Sequence, residues 1–211
     1  MASNKLGGYL LGIGALIASV EFLLGEQSWF RTPSVLGFLA LTFGTLVLLE
    51  HLQRSSGEKN ALLSLSKVLI LVGWGAIIFS IGMSGAVDHT NKESVNAVKS
   101  ISINLYLTVG ALGFLGNLII QLSVVKGSDF SQNSLYKALT SLAVLGSVVM
   151  AVLWTMLPHL FEGRDPAISV GTPGDPNFAI PIGLMAGIWM AGIILTAIWA
   201  IWTGLILSRK S

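Results

Sequence analysis

The chain contains no cysteine among its 211 residues, and only three histidines. Without thiols there is no disulfide framework, no thiolate metal site and no thioether-linked haem, so any metal would have to be held by imidazole and carboxylate. Charge is nearly as scarce. Only 10% of the residues are Asp, Glu, Lys or Arg, against about 25% in a typical soluble domain. Too little polar surface remains to keep such a chain dissolved in water. Phosphate-binding, nicotinamide-binding and serine-hydrolase motifs are also missing. The glycine-rich stretches lie inside apolar runs, not between a strand and a helix where a phosphate cradle forms. The formal net charge of +2 sits in the loops and argues against a nucleic-acid partner.

What the chain does have is hydrocarbon: 53% of its residues are hydrophobic, gathered in six long runs. The runs predict helices over about 7–25, 34–52, 62–86, 101–125, 135–160 and 179–207, each near the roughly 20 residues that cross a bilayer core. Turn and breaker residues fill the connections "GEQSWFRTPS", "QRSSGEKN", "DHTNKESVNAVKS", "KGSDFSQNS" and "EGRDPAISVGTPGDPNF". Hydrocarbon offers backbone groups no partner, so irregular segments belong outside it. No soluble domain fits between the runs. Residues 1–211 therefore read as one all-α domain, an integral membrane bundle of six transmembrane helices in the cell membrane. The first run lacks a small-residue cleavage site and is expected to stay as a helix.

Lysine and arginine set the expected orientation. Lys5, Arg54, Lys59, Lys67, Lys126, Lys137, Arg209 and Lys210 fall on one side, and Arg31, Lys92, Lys99 and Arg164 on the other, eight against four of the 12. The positive-inside rule then places both termini in the cytoplasm. His51 falls at the inner face, and His89 and His159 at the outer.

Small residues recur at helical spacing: Gly37, Ala40 and Gly44; Gly110, Gly113 and Gly116; Gly183, Gly187 and Ala191. Such rows let backbones approach, which is how helices associate when lipid is as apolar as leucine. Trp29, Trp74, Trp154, Trp199 and Trp202 are expected mostly towards span ends, at headgroup depth. Glu21 is the one acidic residue well inside a span. It is either functional or an anchor that reaches water. Asn117 and Gln121 are expected to bond between helices. His89 and His159, with Asp88 and Glu162, could form an outer metal site, although His159 could equally mark a helix end. Echoes between the first and fourth spans, "YLLGIGAL" and "YLTVGALG", hint at two inverted halves of the kind found in transporters.

"LIASVEFLLG", "GTLVLLEHL", "LTVGALGFLGNLII" and "VVMAVLWTMLPHLF" resemble, in that order, successive helices of subunit III of the haem-copper oxidases, over about residues 8–161. The resemblance implies a non-catalytic membrane subunit beside a redox subunit, with Glu21 at the family's acidic position. Phe114 and Val148 stand where that family has histidines. A fainter likeness is to the six-span haem-handling proteins of cytochrome c maturation. The first expectation is therefore a non-catalytic subunit of a larger respiratory membrane complex, with other membrane subunits and the bilayer as partners and no cofactor specified. A small-molecule or ion transporter is the alternative, with Ser80, Thr108, Asn117, Ser147 and Thr196 as candidates for a polar pathway. A metal- or haem-handling protein built on the outer His/Asp/Glu group is the third.

Overall fold

The computed structural model describes residues 2–24, 31–55, 60–85, 92–127, 130, 133–160 and 182–210. All regular structure among them is helical: α1 (Ala2–Leu24), α2 (Arg31–Ser55), α3 (Ala61–Gly85), α4 (Lys92–Asn104), a π-helical turn (Leu105–Val109), α5 (Ala111–Gly127), α6 (Ser134–Leu160) and α7 (Ile182–Arg209). Five helices are long and apolar enough to cross a membrane: Arg31–Ser55, Ala61–Met83, Glu93–Lys126, Ser134–Met156 and Gly187–Arg209.

Local chemistry starts these helices. Asn60 accepts the Leu62 N–H at 3.0 Å, and Asn133 accepts the Leu135 N–H at 2.9 Å. Each asparagine thereby satisfies a donor that the first helical turn leaves without a partner. Pro33 lies in the first turn of α2, where its missing N–H removes no helical bond.

The boundaries differ from the sequence reading most at the fourth helix. The fourth helix does not begin near residue 101; α4 starts at Lys92 and continues through the π turn into α5. The polar stretch "KESVNAVKSISIN" contains neither glycine nor proline, so nothing in it stops a helix. In the π turn the Gly110 N–H reaches back five residues to the Leu105 carbonyl at 3.2 Å, and the Gly113 N–H then closes a tight bond to the Gly110 carbonyl at 2.9 Å.

The helices form a closed ring. α1 packs on α2, α2 on α3, α3 on α5, α5 on α6, α6 on α7, and α7 returns to α1. Apolar side chains cover the outer wall as well as the core, and polar residues are buried among them. Leu16, Phe79 and Leu145 are more than half exposed on the outer wall, while Ser34, Thr45, Ser66, Asn117, Gln121, Thr140, Ser147 and Thr203 are buried. Water would favour the reverse; lipid favours this, because it solvates leucine as well as a protein core does.

With little hydrophobic force between helices, close packing and hydrogen bonds hold the ring together. Gly8 and Gly204 meet backbone to backbone between α1 and α7, as Gly73 and Gly113 do between α3 and α5. The Ser66 hydroxyl donates to the Gly116 carbonyl at 2.9 Å, the Ser80 and Ser102 hydroxyls pair at 2.6 Å, and Tyr136 Oη pairs with Thr203 Oγ1 at 2.7 Å.

At the end of the bundle that holds Asn4, His51 and Lys210, Phe130 turns in under the helices and is 3% exposed. Its ring meets His51 edge-on with centroids 5.6 Å apart and lies 6.4 Å from Tyr136, while the Lys210 ammonium sits 4.4 Å from its centroid. Asn4 Nδ2 lies 3.4 Å from His51 Nδ1 and 3.5 Å from the Lys210 carbonyl oxygen, tying α1 to α2 and α7.

Candidate functional site: a chamber inside the ring

Within the ring lies a partly open chamber of about 30 Å³. α1 contributes Ala15, Ala18 and Ser19, α2 Leu41, α3 Trp74, α5 Phe114 and Asn117, and α7 Ile193, Thr196, Ala197 and Ala200. The space follows from the sequence. Alanine and serine on the inward faces of α1 and α7 leave a gap that the larger side chains of α3 and α5 fill only in part.

Hydrogen bonding determines what each polar wall group offers. The Ser19 hydroxyl donates to the Ala15 carbonyl at 2.6 Å. The Thr196 hydroxyl is committed to the Gly192 and Ile193 carbonyls, each at 2.9 Å. Both oxygens are thus left as acceptors towards the chamber, whereas the Asn117 amide carries a donor and an acceptor. One helical turn further along α5, Gln121 is fully buried, and neither its amide nitrogen nor its amide oxygen has a hydrogen-bond partner among the described residues. The Ser147 hydroxyl on α6 is in the same condition.

Aromatic rings brace one side. Tyr106 stacks on Trp154 with centroids 5.1 Å apart, Trp154 meets Phe114 at 4.9 Å, Phe114 meets Trp74 at 5.2 Å, and Trp74 approaches Phe38 at 5.9 Å. Three of the tryptophans face inward, Trp29 lying outside the described residues. Trp74, Trp154 and Trp199 are at most 2% exposed and fill the interior, because glycine on neighbouring helices leaves room for them. Gly113 faces the Trp74 ring, and Gly110 faces Trp154.

The other residues singled out in the sequence are scattered. Asn117 and Thr196 come together at the chamber. Ser80 lies elsewhere, paired with Ser102, and Thr108 is exposed on the outside of the ring. The interhelical bond expected of Gln121 is not made, and serine and tyrosine hydroxyls provide such bonds instead. Side chains at Gly37, Gly44, Gly110, Gly113 or Gly116 would collide with neighbouring helices. Gly187 differs: a Cβ there meets nothing within 4 Å, because the buried row of α7 runs through Gly192, Thr196 and Thr203. Asp88, His89 and Glu162 lie outside the described residues, as do the side chains of Glu21 and His159 and the surroundings of Gly183. Among the described residues no three His, Cys, Asp or Glu gather as a metal site.

Sequence reasoning overlooked Ser19 and the glycines of α1, and it named Trp74 without assigning it to this site. Ser19 was legible as a polar residue among alanines, but nothing in a uniformly apolar helix marks which side faces inward. Comparison of the chain with protein-family models, with curated proteins and with solved structures gives no match.

Proposed function

We propose that the chain is a non-catalytic integral subunit of a larger membrane complex, crossing the cell membrane six times with both termini in the cytoplasm. The observation that carries this reading is the outward face of α3. Ala61, Leu65, Val68, Val72, Gly75, Phe79 and Gly82 follow one another at alternating steps of four and three residues, and all seven are exposed. That spacing is a heptad seam, the pattern by which one helix receives another. Along it a Cβ on Gly75 or Gly82 would meet nothing within 4 Å, and Phe79, 61% exposed, projects between them. Inward-facing glycines are accounted for by the neighbours that touch them. Glycine on a lipid-facing helix loses about 1 kcal/mol of helix propensity relative to alanine, and a partner helix seated in the two notches would offset this.

α1 is counted as the sixth span because it packs between α2 and α7, both apolar enough to cross. Its 23 residues extend about 34 Å at 1.5 Å per residue, enough for the hydrocarbon core. The likeness to subunit III of the haem-copper oxidases is what suggests a respiratory complex.

A photo-reactive amino acid placed singly at position 75, 79 or 82, and irradiated in native membranes, tests the reading. The expected result is an adduct with a second, different polypeptide from the seam positions and none from Ile13, an outward residue of α1. Adducts only between copies of this chain, equal labelling from Ile13, or no adduct at all would overturn it.

A further inference from the structure

The wall of the central chamber specifies a ligand more closely than its size does. Ser19 and Thr196 have their protons engaged by backbone carbonyls of their own helices, so towards the chamber they only accept. Asn117 can donate and accept. No charged side chain lines the space. An anion would face two acceptor oxygens, and a cation would find no carboxylate to offset its desolvation. A molecule that only accepts hydrogen bonds would find a donor at Asn117 alone. The fitting guest is uncharged, donates at least two hydrogen bonds and accepts one. At about 30 Å³ the space suits a molecule of one or two non-hydrogen atoms, since one water needs roughly 10–15 Å³ of such volume. Cavities that stay dry are lined by apolar groups alone, whereas this one takes polar groups from three helices.

We propose that the chamber formed by Ser19, Asn117 and Thr196 is a binding site for a small uncharged hydride of the water or ammonia class. The guest donates to the two hydroxyl oxygens and accepts from the Asn117 amide, joining α1, α5 and α7 through a single molecule. Gln121, one turn away on α5, is a second buried amide without a partner among the described residues, and it lies outside the chamber wall.

The test uses the full chain in lipid nanodiscs and pulsed X-ray radiolysis in isotopically labelled water, with modification read residue by residue by mass spectrometry. Water held in the chamber generates radicals against Trp74. Tyr136, equally buried but with its hydroxyl bonded to Thr203, is the internal control. The expected result is labelling of Trp74 at least tenfold above Tyr136. Thr196→Val, which keeps the shape of the side chain, and Asn117→Leu should each reduce it about tenfold and leave Tyr136 unchanged. Addition of ammonia at alkaline pH separates the two guests: a fall in Trp74 labelling assigns the site to ammonia, and unchanged labelling assigns it to water. Trp74 labelling no greater than that of Tyr136 in the unaltered protein, or labelling indifferent to both substitutions, would overturn the proposal.

Discussion

Gly73 and Gly75 are two residues apart on α3 and should respond oppositely to the same added methyl group. A Cβ at Gly73 would overlap the backbone nitrogen of Gly113 and stand 2.6 Å from its Cα and 2.9 Å from the Leu112 carbonyl carbon. Carbon atoms pack at about 3.5–4.0 Å, so α3 and α5 must part by about 1 Å or more. Backbone cannot rotate away as a side chain can. Overpacking of this kind costs about 1–3 kcal/mol. Separation also stretches the 2.9 Å bond from Ser66 to the Gly116 carbonyl, a loss of about 1 kcal/mol. Alanine returns about 1 kcal/mol of helix propensity. The balance for Gly73→Ala is a loss of about 2 kcal/mol, roughly 30-fold in the folding equilibrium. At Gly75 nothing lies within 4 Å, so Gly75→Ala keeps only the propensity gain and should be neutral or stabilising by up to about 1 kcal/mol. Equilibrium unfolding of the purified protein by SDS in mixed micelles, followed by tryptophan fluorescence, measures both. Stabilities within about 0.5 kcal/mol of each other would refute the assignment of these two faces.

Other outcomes follow from the same contacts. Tyr136→Phe removes the 2.7 Å bond to Thr203, which keeps its bond to the Trp199 carbonyl, so the loss should be about 1 kcal/mol by the same unfolding assay. Phe130→Ala strips the rings of His51 and Tyr136 and the Lys210 ammonium of their shared neighbour and should cost about 3–5 kcal/mol; a loss under about 1 kcal/mol would mean the end of the bundle closes without it. A reporter active only in the cytoplasm and fused at Ser211 should give signal, and signal from an externally active reporter alone would invert the proposed topology.

Composition made the helices legible, and the breaker residues made most of their limits legible. Asn60 and Asn133 do in the structure what asparagine before an apolar run announces. The inward and outward faces were not legible. A soluble helix declares its buried side by a stripe of hydrophobic residues, but in lipid both sides are apolar. The sequence therefore could not separate Gly73 from Gly75, or Gly113 from Gly187. The inward side of the tryptophans was hidden for a related reason. A ring suited to the headgroup region is equally suited to the gap opposite a glycine, and only the partner helix distinguishes the two. Asn117 and Thr196 could be found, because amide and hydroxyl groups within apolar runs are conspicuous. Ser19 was hidden by the short range of its signal, one hydroxyl that looks like any other small residue.

The π turn between α4 and α5 takes up one extra residue within a single turn of the long helix. A residue in so wide a turn advances by less than the roughly 100° of an α-helical one, so the surplus is absorbed locally and the two flanking halves keep nearly the phase of one uninterrupted helix. Ser102 on the first half thus meets Ser80 while the Gly116 carbonyl on the second half meets Ser66. A further residue inserted into α-helical Lys92–Asn104 beyond Ser102 would have no such turn to absorb it and would rotate Ser102 by roughly 100° away from Ser80. The serine contacts at the two ends of α3 are kept in step by one wide turn, and the chain is less tolerant of a one-residue insertion beside it than of most substitutions.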